Sequence, residues 1–134
     1  MQEKTFAVRT AAREEIRLIT AEVERALSSL TEGDGICTIV TPHTTCAISV
    51  NENADPDVPR DLAAKLDQLI PQREPFYRHA EGNSDSHLKT SFFGPSLTVL
   101  VNEGRLVLGQ WQGVFLCEFD GPRERRLAVQ VMGR

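Results

Sequence analysis

The chain contains three histidines, and each lies among polar, turn-forming residues. His43 follows Pro42, His79 lies in a polar segment, and His87 comes two residues after Asp85. Three imidazoles that leave a fourth position open are a common arrangement for a catalytic zinc ion, and neutral imidazole also suits other divalent ions. Because the spacing matches no short zinc signature, solvated or locally hydrogen-bonded histidines remain the competing interpretation.

Carboxylates lie close to the histidines in the sequence. Glu81 follows His79 by two residues, and Asp85 precedes His87 by two. A carboxylate near a histidine can orient the imidazole through its second nitrogen. It can also act as general base on a metal-bound water.

The densest polar run extends from residue 81 to residue 87. Gly82 permits a close approach of the backbone to a ligand, and the N–H groups that follow can receive a phosphate at the start of a helix. Lys89, one turn further on, can meet a phosphate as a point charge. A plain loop, a helix cap and a solvated lysine explain the same residues.

A second polar run contains Glu118, Asp120 and Arg123 around the turn Gly121-Pro122. Arg123 can pair with a ligand phosphate, but pairing with Asp120 to fix the hairpin is the interpretation that we favour. The lone tryptophan, Trp111, is expected in the core or at a subunit interface.

The elements that position these residues follow from the periodicity of apolar side chains. A 3.6-residue period predicts helices, with Thr20 as the cap of the first. Helices interleaved with antiparallel hairpins indicate a single domain of the α+β class. The predicted helices cover residues 21–30, 55–70 and 83 or 84 to about 93, and the predicted strands cover 5–10, 15–18, 36–41, 45–51, 97–101, 105–108, 113–119 and 125–132.

Composition narrows the possible partners and the location. The formal net charge of −4 over 134 residues gives no reason to expect nucleic acid. No apolar stretch is long enough to cross a membrane, and the N-terminus lacks the apolar core of a signal peptide. Three cysteines without a Cys-x-x-Cys pair are typical of reduced, mostly buried thiols in a cytosolic protein. We therefore expect a cytoplasmic protein.

Six ordered stretches, which cover most of the chain, resemble the YjbQ/UPF0047 family, also called secondary thiamine-phosphate synthase enzymes. These stretches are Pro42-His43-Thr44-Thr45, Asn51-Glu52-Asn53-Ala54-Asp55-Pro56-Asp57, His79-Ala80-Glu81-Gly82-Asn83, Asp85-Ser86-His87-Leu88-Lys89, Leu108-Gly109-Gln110-Trp111-Gln112 and Glu118-Phe119-Asp120-Gly121-Pro122-Arg123. Cys46 stands where alanine is more usual, a difference that concerns packing.

The resemblance implies a compact α+β domain with mostly antiparallel sheets in a barrel- or sandwich-like arrangement, assembled as a homotrimer. It implies a divalent metal site made by His43, His79 and His87. A zinc-like ion is favoured because imidazole nitrogen suits it, with magnesium or manganese as further options. The catalytic candidates become Glu81, Asp85 and Glu118, and the substrate- or anion-binding candidates become Thr44, Thr45, Asn51, Asn83, Lys89 and Arg123.

The activity that the resemblance implies joins a hydroxymethylpyrimidine diphosphate to a thiazole phosphate and releases diphosphate. Such chemistry needs a divalent ion and cations around the leaving group, and this acidic chain offers few of the latter. We therefore expect a metal-dependent enzyme acting on a small phosphorylated or heterocyclic metabolite, either as such a transferase or as a hydrolase. A non-catalytic trimer that binds a metabolite, an anion or a metal is the second hypothesis.

Overall fold

A computed structural model describes residues 2–133 of the chain. Within them, eight strands form two antiparallel sheets, and three helices pack against the sheets. The larger sheet has the strand order β1-β8-β3-β5-β6, and the smaller has the order β2-β7-β4. The elements are β1 (Gln2–Arg9), β2 (Glu15–Leu18), α1 (Thr20–Ser28), β3 (Gly35–Val40), β4 (Cys46–Glu52), α2 (Asp57–Leu69), α3 (Ser84–Phe93), β5 (Ser96–Asn102), β6 (Arg105–Leu106), β7 (Gln112–Glu118) and β8 (Glu124–Gly133).

The main hydrophobic core, here called the inner core, lies between the two sheets, with one face of α1 packed into it. The strand period of two accounts for the pattern, since alternate side chains point to opposite faces. On β8, Leu127, Val129 and Val131 are buried in the inner core, and the residues between them face outward. The α+β class predicted from the sequence is confirmed.

Strand β7 is buried on both faces, so its sequence lacks polar alternation. Val114 and Leu116 belong to the inner core, whereas Phe115 and Cys117 lie in a second, outer core. Leu66 of α2 and other half-buried apolar side chains cover this outer core. The molecule therefore has three layers: α2 with α3, the smaller sheet, and the larger sheet.

Thr20 does not cap α1 with its side chain, contrary to the sequence prediction. The helix already includes Thr20, and its hydroxyl accepts the backbone N–H of Val114 at 2.9 Å. The hydroxyl thus attaches the start of α1 to β7. Val23, Ala26 and Leu27 of the same helix bury their side chains. Tertiary bonding displaces the local cap because the buried N–H of a central strand also requires an acceptor.

Helix α3 positions His87, and its buried face is polar. Asp85, Ser86, Lys89 and Thr90 are the buried residues, which explains why apolar spacing does not mark this helix. Ser86 Oγ donates to the carbonyl oxygen of Phe119 at 2.6 Å and ties α3 to the end of β7. The helix is therefore held by polar contacts as much as by apolar packing.

Of the other structural predictions, some are confirmed and some are wrong. All three cysteines are buried and free, as expected. The strand predicted over residues 105–108 covers only Arg105–Leu106. Trp111 is 57% exposed in the single chain, so it does not lie in the core, and its place at a subunit interface stays a prediction. No helix among residues 2–133 is both long and apolar enough to cross a membrane.

Candidate functional site

Two of the three histidines line one cleft, here called the polar cleft after its imidazoles and hydroxyls, although apolar atoms make up most of its lining. His43 comes from the loop that follows β3, and His87 comes from α3. The cleft has a volume of about 510 Å³, which is in the range of small-molecule sites. Its remaining walls are Thr41, Pro42, Thr44, Thr90, Ser91, Gly94 and Pro95. The structure therefore places the predicted contact residue Thr44 beside His43 and His87.

The ring of His43 is fixed by a backbone group. The N–H of Arg126 in β8 donates to His43 Nε2 at 3.0 Å, so the lone pair of that nitrogen is engaged. Burial lowers the pKa of His43, and the positive charges of Arg125 and Arg123 lower it further, against the opposing effect of Glu118. His43 is consequently neutral at pH 7, as its acceptor role at Nε2 requires.

A second cleft, here called the aromatic cleft, adjoins the first at His87. It has a volume of about 530 Å³, and its walls are Phe76, Tyr77, Arg78, His79, Ser84, His87 and Leu88. The rings of His79 and His87 meet edge to face with 5.2 Å between their centroids. Glu81 lies at the rim, with a carboxylate oxygen 3.6 Å from His79 Nε2.

The three histidines do not surround a common point within one chain. His79 and His87 are neighbours, but the Nε2 lone pair of His43 already accepts a hydrogen bond. Among residues 2–133 no group of three or more His, Cys, Asp or Glu side chains is arranged to hold a metal ion. His43 in this orientation does not fit as an Nε2 ligand, whereas the rings of His79 and His87 are in contact.

Glu118, one of the catalytic candidates, is fully buried in an ion pair with Arg125. Arg125 Nε donates to Glu118 at 2.9 Å, and the same guanidinium donates to Thr45 Oγ1 at 2.8 Å. The hydroxyl of Thr10 also donates to the carboxylate, at 2.7 Å. Glu118 and Arg125 thus join β7 and β8 from the two sheets, and the polar groups of Glu118 and Thr45 are engaged inside the protein.

Asp85 and Lys89 form a second buried ionic cluster. Arg13 holds the Asp85 carboxylate through two nitrogens, at 2.9 and 3.1 Å. Lys89 is only 1% exposed, and its amine donates to Asp67 of α2 at 2.8 Å and to Glu14 at 3.1 Å. Burial alone lowers the pKa of Lys89, but the bonds to Asp67 and Glu14 outweigh it and raise the pKa. The expectation of a solvated lysine is wrong.

The other predicted contact residues serve turns and strand ends. Asn83 precedes α3 and donates its amide to Asp120 at 2.7 Å. Arg123 pairs with the same carboxylate at 3.0 Å and donates to the carbonyl oxygen of Asp120 at 2.7 Å, which is the hairpin role that we favoured. Asn51 lies at the far end of β4 and accepts the N–H of Glu52.

Comparison with known protein families shows to which family the chain belongs. The model of the family described as UPF0047 protein YjbQ-like matches residues 4–134. The chain belongs to this family. The UPF0047 protein YugU of Bacillus subtilis (strain 168) is 45% identical over 130 residues, which are 97% of this chain and 98% of that protein. The UPF0047 protein MJ1081 of Methanocaldococcus jannaschii is 45% identical, over 96% of this chain and 92% of that protein.

Solved structures that are similar to this chain agree with the fold described above. Hypothetical protein APE1520 from Aeropyrum pernix K1 superimposes with a TM-score of 0.94 at 34% identity, and the match covers 100% of both chains. A yjbq/upf0047 family protein from Clostridium acetobutylicum superimposes with a TM-score of 0.92 at 40% identity, covering 96% of this chain and 99% of that one. The resemblance to the family and the expected fold are thereby confirmed, and the activity is a separate question.

Two arginines of this UPF0047 chain that hold carboxylates, the buried Arg125 and the half-buried Arg13, were not predicted from the sequence. Arg125 shares the inward face of β8 with Leu127 and Val129, and Glu118 shares the inward face of β7 with Leu116. A charged residue in phase with buried apolar residues signals a buried ion pair, and the strand period of two contains that signal. Arg13 precedes β2 and carries no such signal.

Proposed function

We propose that the chain is an enzyme that acts on a small phosphorylated or heterocyclic metabolite bound across the polar and aromatic clefts. The observation that carries the proposal is that His87 lines both clefts. A ligand with two chemically different parts would place their junction beside this imidazole. Imidazole is the side chain most often used for proton transfer near neutral pH.

The polar cleft suits the anionic part of such a ligand. His43 and Thr44 provide polar atoms at its wall. Cationic side chains are few around both clefts, and Arg78 is the one that lines the aromatic cleft. A phosphoryl group bound here would therefore depend on neutral hydrogen-bond donors more than on ion pairs.

The aromatic cleft suits a planar ring. Phe76 is 72% exposed and meets Tyr77 edge to face, and Leu88 is also exposed. Exposed aromatic and apolar side chains around a concave volume of this size are typical of heterocycle sites. The position of His79 beside His87 gives the ring a polar edge to meet.

Narrower forms of the proposal come from the family resemblance. One is thiamine-phosphate synthesis, in which a pyrimidine diphosphate would span the two clefts. Another is a divalent ion, zinc-like or else magnesium or manganese, which would stabilise a leaving diphosphate. His79 and His87 would hold it, with further ligands from a neighbouring subunit of a homotrimer. A cytoplasmic location belongs to the same set of predictions.

A non-catalytic binding module is the second candidate function, and one observation favours it. Asp85 and Glu118 are 0% exposed and engaged in ion pairs, which leaves Glu81 as the exposed member of the three predicted catalytic carboxylates. A site with histidines but few free carboxylates is also consistent with reversible binding of a metabolite or an anion.

The test is turnover of a defined panel by the untagged protein, with and without added zinc, magnesium or manganese. The panel contains simple phosphate esters and the pair hydroxymethylpyrimidine diphosphate with thiazole phosphate. Products that disappear in both His43→Ala and His87→Ala but persist in Lys65→Ala, an exposed position on α2, support the enzyme. Saturable binding without products supports the binding module, and neither binding nor products would refute the site.

A parallel measurement addresses the metal. Elemental analysis of wild type, His79→Ala and His87→Ala gives the metal content per chain. Stoichiometric metal that is lost in both variants supports a shared ion. Wild-type protein that takes up no zinc, manganese or magnesium after reconstitution contradicts the metal-dependent form and leaves the metal-free forms in place.

A further inference from the structure

We infer that His43 is locked in the tautomer that carries its proton on Nδ1, and that it binds an oxyanion in the polar cleft as a hydrogen-bond donor instead of binding a metal. The inference deepens the proposed function, on which it rests for the use of the cleft. It starts from the N–H of Arg126, which donates to His43 Nε2 at 3.0 Å.

This hydrogen bond takes the place of a backbone hydrogen bond between β3 and β8. Strands β3 and β8 pair up to Val40 and Ala128, and continuation of that register would place Pro42 opposite Arg126. Proline has no N–H to donate, so the ladder cannot continue there. The backbone N–H and C=O of Arg126 on that side would then lack partners from β3.

The side chains on either side of Pro42 take over those two bonds. The hydroxyl of Thr41 donates to the carbonyl oxygen of Arg126 at 2.9 Å, and His43 Nε2 accepts the N–H. The backbone N–H of His43 in turn donates to Thr41 Oγ1 at 3.4 Å. Thr41 is 2% exposed, whereas the bond between Arg126 and His43 lies at the surface. We call these three bonds the ladder clamp.

The ladder clamp dictates where the imidazole proton resides. A neutral imidazole has one N–H and one lone pair, and the bond made by one nitrogen sets the state of the other. Because Nε2 accepts, Nδ1 carries the proton. A protonated nitrogen has no free lone pair for a metal, but it can donate to phosphate, carboxylate or carbonyl oxygen. The ligand group expected beside His43 is therefore an acceptor oxygen, and an oxyanion is favoured because a hydrogen bond to an ionised acceptor is stronger than one to a neutral carbonyl.

A second polar atom in the same cleft lacks a partner. Thr90 lines the cleft and is 8% exposed, and its hydroxyl has no hydrogen bond among the described residues. Buried hydroxyls without partners are uncommon in proteins and call for a specific reason. The hydroxyl oxygen of Thr90 is itself buried, so a ligand oxygen would reach it only where the cleft wall shifts to expose it.

The tautomer can be measured without any substrate. Long-range 1H–15N correlation spectra of labelled protein at about pH 8, where ordinary imidazoles are neutral, distinguish the two protonated nitrogens. We expect a single Nδ1–H form for the signal that disappears in His43→Ala. Thr41→Val should move it toward a mixture, whereas Thr98→Val, on the exposed face of β5, should leave it unchanged. An Nε2–H form or a mixture in the wild type would overturn the inference.

Ligand additions test the second half of the inference separately. Inorganic phosphate should shift the His43 Nδ1–H signal, and zinc should shift the His79 or His87 nitrogens while leaving His43 unchanged. A coordination shift at His43 with zinc, or no response of His43 to phosphate, would overturn its role as an oxyanion donor. Failure of the proposed enzyme appears instead as absent turnover with the Nδ1–H form intact, so the two failures are distinguishable.

Discussion

Replacement of Arg125 by methionine should destabilise the protein strongly, because it leaves a buried carboxylate without its counter-ion. Arg125 is 1% exposed and Glu118 is 0% exposed. After the substitution, the donors that remain on Glu118 are the Thr10 hydroxyl at 2.7 Å and the Asp120 N–H at 3.1 Å. Breaking one side of a buried pair costs about 3–5 kcal/mol, a large part of the roughly 5–15 kcal/mol by which domains are stable.

The backbone near the substitution does not add a comparable cost. The carbonyl oxygen of Thr45 loses the Arg125 guanidinium but keeps the N–H of Phe119 at 3.2 Å. The uncompensated charge of Glu118 therefore dominates the loss. For a chain of this length, a loss of 3–5 kcal/mol lowers the melting temperature by roughly 10–20 °C.

The assay is urea unfolding followed by far-ultraviolet circular dichroism, because the exposed Trp111 is a poor probe of the core. Arg123→Met is the matched control, since Arg123 makes an exposed pair with Asp120, and it should change the free energy of unfolding by less than about 1 kcal/mol. The double variant Glu118→Met/Arg125→Met removes both charges and should recover about 2 kcal/mol or more relative to the sum of the single variants. Additive losses, or an Arg125→Met loss no larger than the control, would refute a buried, coupled pair.

Three further predictions concern other parts of the structure. Lys89→Met should cost about 1–3 kcal/mol in urea unfolding, because Asp67 and Glu14 lose the buried ammonium while Asp85 keeps Arg13. The exposed Lys65→Met should cost less than about 0.5 kcal/mol, and equal effects would contradict the buried cluster. Thr20→Val should cost about 1–3 kcal/mol by removing the acceptor of the Val114 N–H, and Thr20→Ser should restore most of it; a loss that serine does not restore would point to packing. The three buried thiols should resist a thiol reagent at pH 8 in the native state and react in urea. Burial raises the pKa of the Cys117 thiol to about 12 and keeps it protonated. Rapid reaction of Cys117 in the native protein would show that the outer core opens.

Most strands and helices were predictable because their boundaries depend on local chemistry. Gly94 follows α3 with a φ of +89°, a conformation that glycine adopts without strain, and it ends the helix at the predicted place. The turn before β6 combines Glu103 at +51° with Gly104 at +76°, as a tight hairpin requires. Thr20 was mispredicted because its hydroxyl bonds to a strand that lies 94 residues further along the chain.

The candidate site likewise combines residues that the sequence could predict with contacts that it could not. The histidines that line the polar cleft were recognisable, since the chain has three of them and the motifs of the family resemblance contain all three. The engagement of Asp85 by Arg13 was not recognisable, because the two residues are 72 positions apart. No periodicity within either segment specifies that contact, whereas the pairing of Glu118 with Arg125 was encoded in the strand alternation.

The sequence by itself determined the α+β class, the family, and the histidines on which the functional proposal depends, because local periodicity and ordered motifs carry that information. Only the tertiary structure decided which polar groups remain free for a ligand. Candidates such as Asp85 and Lys89 are engaged in ion pairs with distant segments of the chain, since a charge removed from water requires a partner. The state of the His43 ring was likewise decided by the register of β3 and β8, because that register brings the backbone of Arg126 to its nitrogen.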